Sequence, residues 1–216
     1  MLLKVVMAVS GAFLLLYLVL HMVGNLKIFL GGPALDEYAG WLRTILEPAL
    51  PYEGMLWVVR VVLAVSVVAH IVSAVLLTLR ARRARPVKYV GGNHQVKGSY
   101  AARTMRWGGV IIALFVVYHL LDLTTGTLNP NGVHLHVYAN VAADFAPSRW
   151  YVTLFYVLAV VAVGFHVRHG LWSGLQTLGA SNNRRERPLK IVSTVFAVVL
   201  TVGFLSVPLA VTFGVV

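Results

Sequence analysis

Cysteine is absent from the 216-residue chain. Its absence excludes disulfides, thiolate-held iron–sulfur clusters, covalently attached CxxCH haem and a thiol nucleophile. Charge is scarce too: 12% of residues are charged and 59% hydrophobic, with a mean hydropathy of +0.81, whereas soluble domains are about a quarter charged. The composition is that of a membrane protein. Acid is scarcer still, with Asp+Glu 7 against Lys+Arg 18. Linkers, low-complexity tracts and a second composition are all lacking, so residues 1–216 read as a single membrane domain. What the apolar background does contain is His 8, and function is to be sought there.

Apolar runs long enough to cross a hydrocarbon core of about 30 Å as helices occur at 2–30, 55–79, 107–128, 150–175 and 191–215. The expected fold is an all-α integral membrane bundle of five transmembrane helices. Lys4 before the first run resembles a signal-peptide start, but the run is too long and no small-residue cleavage site follows, so it reads as a retained span. Between spans two and three lie Arg80, Arg82, Arg83, Arg85, Lys88, Lys97, Arg103 and Arg106 with no acid; between spans four and five lie Arg184, Arg185, Arg187 and Lys190 against Glu186. The other two loops hold Asp36, Glu37, Glu47, Glu53 and Asp144, opposed by Arg43 and Arg149. The positive-inside rule puts the N-terminus and both basic loops in the cytoplasm and the C-terminus outside. Topology thus accounts for the basic excess, leaving nothing that calls for nucleic acid, while anionic lipid and a docked partner remain as contacts. Residues 33–50 carry Leu35, Tyr38, Leu42, Ile45 and Leu46 at helical spacing opposite Asp36, Glu37 and Arg43, which predicts a short amphipathic helix on the outer surface.

Spans one to four each contain a histidine, His21, His70, His119 and His166, and span four adds His169. An ionisable side chain inside a membrane helix is costly, and marks function by default. One such residue is often only an interhelical hydrogen bond; four on four helices need a common cause. At 1.5 Å per residue His70 lies about 15 Å from the inner edge, His119 about 20 Å and His21 about 25 Å, with His166 late in an inward-running span. The four sort into an inner level, His70 with His166, and an outer level, His21 with His119. Two imidazoles are too few for zinc, and copper favours methionine or cysteine in company; Met22 points about 100° away from His21. A haem b needs only two axial imidazoles and is flat enough to lie between helices. Gly11, Gly24, Gly108, Gly109, Gly164 and Gly170 either make room for such a plate or serve ordinary small-residue packing. Two bis-histidine haems b, enclosed by four of the helices, are the preferred reading.

The ligand spacing, 21 to 70, 70 to 119 and 119 to 166, gives one histidine per helix, unlike cytochromes b in which two helices carry two ligands each. With His21-Met-Val-Gly-Asn-Leu26 on span one, and His166-Val-Arg-His-Gly-Leu-Trp-Ser173 followed by Gln176-Thr-Leu-Gly179 on span four, the chain resembles a known family over nearly its whole length. It looks like the single-chain, five-helix, di-haem cytochrome b membrane anchor of succinate dehydrogenase and fumarate reductase, the succinate:quinone oxidoreductases. Positions i and i+3 share a helix face, so geometry alone leaves His166 and His169 as alternatives; the family's Gly-Leu-aromatic segment selects His166. His169 is then a candidate contact for a haem propionate or a quinone. Arg168 is another propionate or lipid-phosphate candidate, with snorkelling to the headgroups the simpler alternative.

The resemblance implies a subunit of an enzyme whose succinate site lies elsewhere: a flavoprotein with FAD, and an iron–sulfur subunit docked at the cytoplasmic face of a bacterial inner membrane. Electrons would pass between the clusters and a quinone, expected to be menaquinone, through the inner and outer haems. The basic loop with His94 and Lys97 is the expected contact for the iron–sulfur subunit, and complexes of this kind can associate further. Quinone-site candidates are Asp122, Tyr118, Glu37 and Glu47, although loop carboxylates are commonly just solvated. His134 and His136, without further donors, make a poor metal site. Two alternatives remain: a haem-free histidine-bearing transporter or proton channel, and the haem-b anchor of another respiratory dehydrogenase. Against the transporter, no span has a proline near its middle.

Overall fold

The computed structural model describes residues 1–84 and 98–216, with side chains described for all of these except 98–104. Arg85, Lys88, His94 and Lys97 lie outside the described residues, as does the Arg103 side chain. Seven α-helices follow one another, with no strand among the described residues: α1 (Leu2–Asn25), α2 (Gly32–Thr44), α3 (Gly54–Arg83), α4 (Gly98–His119), α5 (Val137–Asp144), α6 (Trp150–Thr177) and α7 (Glu186–Thr212). A 3₁₀ turn (Leu26–Leu30) prolongs α1, a π-turn (Leu120–Thr124) prolongs α4, and a second 3₁₀ turn (Pro147–Arg149) leads into α6. Five of these helical segments, built on α1, α3, α4, α6 and α7, are long and apolar enough to cross a membrane.

The helices outrun the apolar stretches that announce them. α3 continues to Arg83 and α7 starts at Glu186, because backbone hydrogen bonding persists where arginine and lysine, good helix formers, replace valine. Span three closes earlier than residue 128: the π-turn ends at Thr124, where the Thr125 N–H bonds back to Leu120 O at 2.8 Å. Beyond it, Gly126 and Gly132 adopt positive φ, and a Cβ on Gly126 would stand 3.0 Å from Gly132 Cα, so this bend needs glycine. The amphipathic helix is α2, which buries Leu35 but stops at Thr44. Ile45 and Leu46 fall in the following turn, Leu46 at φ 68, since Pro48 and Pro51 bar helical continuation.

α6 is the hub. It packs on α7, α4 and α1, while α1 also packs along α3 and α7. Small side chains bring the backbones together: Ser10 on α1 and Ser66 and Ser73 on α3 are buried, and a Cβ on Gly164 of α6 would run into Thr201 of α7. α2 and α5 cap one end of the bundle, joined where Asp36 Oδ1 accepts the Tyr138 N–H at 2.9 Å. Under this cap lies a core of Ile28, Leu35, Phe145, Val152, Tyr156, Val207 and Val211. Arg80, Arg82, Arg83, Arg184, Arg185 and Arg187 lie at the opposite, basic end.

Candidate functional site

The four span histidines meet in two facing pairs, one above the other along the bundle. His21 of α1 faces His119, the last residue of α4, with ring centroids 5.8 Å apart and planes at 78°. His70 of α3 faces His166 of α6 at 6.2 Å and 59°. The histidine pairs bridge α1 to α4 and α3 to α6, helix pairs that are not among the closely packed ones. Two imidazoles bound end-on to one metal from opposite sides, each at about 2.0–2.1 Å, hold their centroids roughly 6 Å apart. Both separations suit that arrangement.

Each pair has one imidazole whose tautomer its neighbours fix. His70 Nδ1 lies 3.1 Å from Met7 O and 3.4 Å from Ser10 Oγ. A carbonyl oxygen only accepts, so Nδ1 carries the hydrogen and Nε2 keeps its lone pair for a ligand. In the other pair the Tyr156 hydroxyl donates to Asp122 Oδ2 at 2.7 Å, which leaves its oxygen to accept from His119 Nδ1, 3.4 Å away. His119 is thereby also held with Nε2 unprotonated. A carboxylate acting through an intermediary on the far nitrogen of an imidazole is the usual way a ligating histidine is oriented.

The remaining partners are held by packing. Tyr17, one turn before His21, stacks on it at 5.3 Å and 11°, and Phe204 of α7 leans on the same ring at 5.8 Å. His166 Nδ1 is buried and has no hydrogen-bond partner among the described residues. The glycines divide by role. A Cβ on Gly11 would come within 3.2 Å of His70 Cε1, and one on Gly109 within 3.8 Å of His166 Cε1. Gly24 instead accommodates the Tyr38 ring and Gly164 the Thr201 hydroxyl, while a Cβ on Gly108 or Gly170 would meet nothing within 4 Å among the described residues. The spacing of the pairs, the fixed Nε2 lone pairs and the two glycines beside the inner rings fit a haem b between each pair.

The other expected site residues scatter. His169 packs edge-on against Trp172 at 5.8 Å. Arg168 turns to α7, donates from Nε to Thr194 Oγ1 at 3.0 Å and is exposed. Glu37 and Glu47 are exposed at the capped end, and Tyr118 is half-buried against Phe155. Asp122 differs from these: it sits in the π-turn, fully buried at 0% exposure. Beside it lies Asp144, the last residue of α5 and equally buried, whose carboxyl Arg149 meets at 2.9 Å. Burial, then the hydrogen bond and like charge of Asp122, push the Asp144 carboxyl up to about 7, against the pull of Arg149. Tyr17, Tyr156, Asp144 and Arg149 are the functional neighbours that reading the sequence misses. Tyr17 carried a signal in its four-residue spacing from His21; Asp144 looks like any loop acid until the fold buries it.

Compared with protein-family models, with curated proteins and with solved structures, the chain matches none. The functional reading therefore rests on the histidine geometry and its neighbours.

Proposed function

We propose that the chain is the di-haem cytochrome b anchor subunit of a succinate:quinone oxidoreductase in a bacterial cytoplasmic membrane. The observation that carries this is the pair of facing imidazole couples stacked along a membrane-length bundle. His70 and His166 would hold one haem b, and His21 and His119 the other; each, when bound, supplies a one-electron redox centre within the apolar core. The chain's own residues bind and orient. Met7 O and Ser10 hold His70, Tyr156 holds His119, and Tyr17 and Phe204 clamp the His21 ring. Gly11 and Gly109 keep the inner rings free of side-chain crowding.

The basic end would face the cytoplasm. There Arg80, Arg82, Arg83, Arg106, Arg184, Arg185 and Arg187 form the docking surface for an iron–sulfur subunit, which in turn carries the flavoprotein with FAD that oxidises succinate. At the capped end Asp122, within hydrogen-bonding reach of Tyr156, is the best-placed proton acceptor for a quinone, expected to be menaquinone, with Tyr118 nearby. Glu37 and Glu47 are surface carboxylates of that same end. His169 and Arg168 flank the inner pair on α6, where Arg168 is placed to meet a lipid phosphate.

Affinity purification of the full chain from its own membranes tests the assignment. A covalent flavoprotein and an iron–sulfur protein should copurify, and succinate should reduce the bound haem. Haem without a flavoprotein would transfer the chain to another respiratory dehydrogenase, and absence of haem would end the electron-relay reading.

A further inference from the structure

Two fully buried carboxylates, one on the π-turn and one at the end of α5, lie within hydrogen-bonding reach of each other. Their other oxygens are accounted for: Asp122 Oδ2 accepts from Tyr156 at 2.7 Å, and Asp144 Oδ1 from Arg149 at 2.9 Å. Asp122 Oδ1 and Asp144 Oδ2 are buried, and among the described residues no N–H or O–H group reaches either of them. Carboxylate oxygens only accept, so two ionised carboxylates could not satisfy one another; a carboxylic acid and a carboxylate can, by one shared hydrogen. We propose that Asp122 and Asp144 hold one proton between them, forming a proton-loading site that opens to the aqueous surface at the capped end beside Arg149 and is hydrogen-bonded through Tyr156 to the His21–His119 pair.

Charge balance points the same way. Among the described residues the groups facing the two carboxyls are Arg149 ahead of α6, Tyr156 on α6 and Tyr118 on α4, with Tyr151 against the Arg149 guanidinium; Arg149 is the cation among them. One proton on the pair leaves a single negative charge to meet that guanidinium, and the buried cluster is neutral. No proton would leave an uncompensated anion in an apolar setting, and two would leave an uncompensated cation. The upward push on Asp144 has the same origin. Arg149, with its side chain 24% exposed, is the cluster's contact with water. The π-turn supplies the geometry: its extra residue turns Asp122 toward Tyr156, and such turns recur where a helix must present a functional side chain. The shared proton rests on the two carboxyls, Arg149 and Tyr156, and stands whatever group the histidine pair binds.

Infrared titration of the full chain in lipid nanodiscs, in H₂O and D₂O, reads the shared proton directly. Between roughly pH 5 and 9 the wild type should show a protonated-carboxyl C=O band that shifts in D₂O and vanishes as the pH passes about 7, well above the range of solvated Asp and Glu near 4. Asp122→Asn and Asp144→Asn should each abolish it. Tyr156→Phe should keep the band and raise its midpoint, because the ionised pair loses a donor. A wild-type spectrum with no such band would overturn the proposal without need of any variant, and so would a band that survives unchanged in both Asn variants.

Discussion

His119 and His70 are each held by a neighbour that takes the Nδ1 hydrogen, Tyr156 in one case and Met7 O in the other. The first support is a side chain and can be removed. Tyr156→Phe should leave haem content unchanged while the outer haem's reduction potential shifts and its dependence on pH weakens, as read by spectroelectrochemical titration; full coupling to one proton would give a slope of about 59 mV per pH unit. Asp144 makes a separate prediction. The folded chain binds its proton more tightly than an unfolded one, since the carboxyl is raised from 3.8 to about 7. The resulting stability is fully present below about pH 3.8 and is lost as pH rises through about 7. Thermal unfolding followed by circular dichroism should therefore show a midpoint that declines across this window, and Asp144→Asn should flatten the decline. At this scale the sequence disclosed the histidines, because an ionisable residue stands out in a run of valine and leucine. It did not disclose Asp144 as a site, because a carboxylate in Ala-Ala-Asp-Phe-Ala is marked as buried only once α5 folds onto the π-turn.

Helix lengths and order were legible because lipid demands continuous apolar runs, and the levels of the histidines followed from a rise of 1.5 Å per residue. What a residue-by-residue rise could not provide was the rotation of each helix. The glycines show this: of six that equally suited a flat ligand or close packing, Gly11 and Gly109 face the inner histidines, while Gly164 faces Thr201 in the α6–α7 seam. The difference predicts separable defects. Gly11→Leu or Gly109→Leu should crowd the His70–His166 pair, so that purified protein carries one haem and retains the outer one. Gly164→Leu should force α6 from α7, costing about 1–3 kcal/mol of stability as overpacking does, with little change in the haem spectrum of whatever protein folds. The π-turn lies equally beyond sequence reading, because Leu-Leu-Asp-Leu-Thr would continue an α-helix as readily.

Among the described residues Asp36, Glu37, Glu47, Glu53, Asp122 and Asp144 gather at the capped end with Lys27, Arg43, Arg60 and Arg149, whereas Lys4, Arg80, Arg82, Arg83, Arg106, Arg184, Arg185, Arg187 and Lys190 gather at the other with Glu186 as their acid. Arg43 and Arg60 are both paired with Glu53, at 3.1 and 3.4 Å, so the capped end contributes little net positive charge and the inside rule keeps its force. The absence of cysteine allows a clean test: single substitutions Glu47→Cys and Arg184→Cys should be labelled by a membrane-impermeant maleimide from opposite sides, Glu47→Cys in intact cells and Arg184→Cys only after the membrane is opened. The electron relay proposed above would use the same two-ended arrangement, with one imidazole pair toward each end.

Haem stoichiometry tests the relay most directly. A pyridine haemochrome assay with reduced-minus-oxidised spectra should give two haems b per wild-type chain, and one in His70→Ala, His166→Ala, His21→Ala or His119→Ala, the first two variants sharing one residual spectrum and the last two another. Two haems retained after loss of any of these histidines, or none bound by the wild type, would contradict the account.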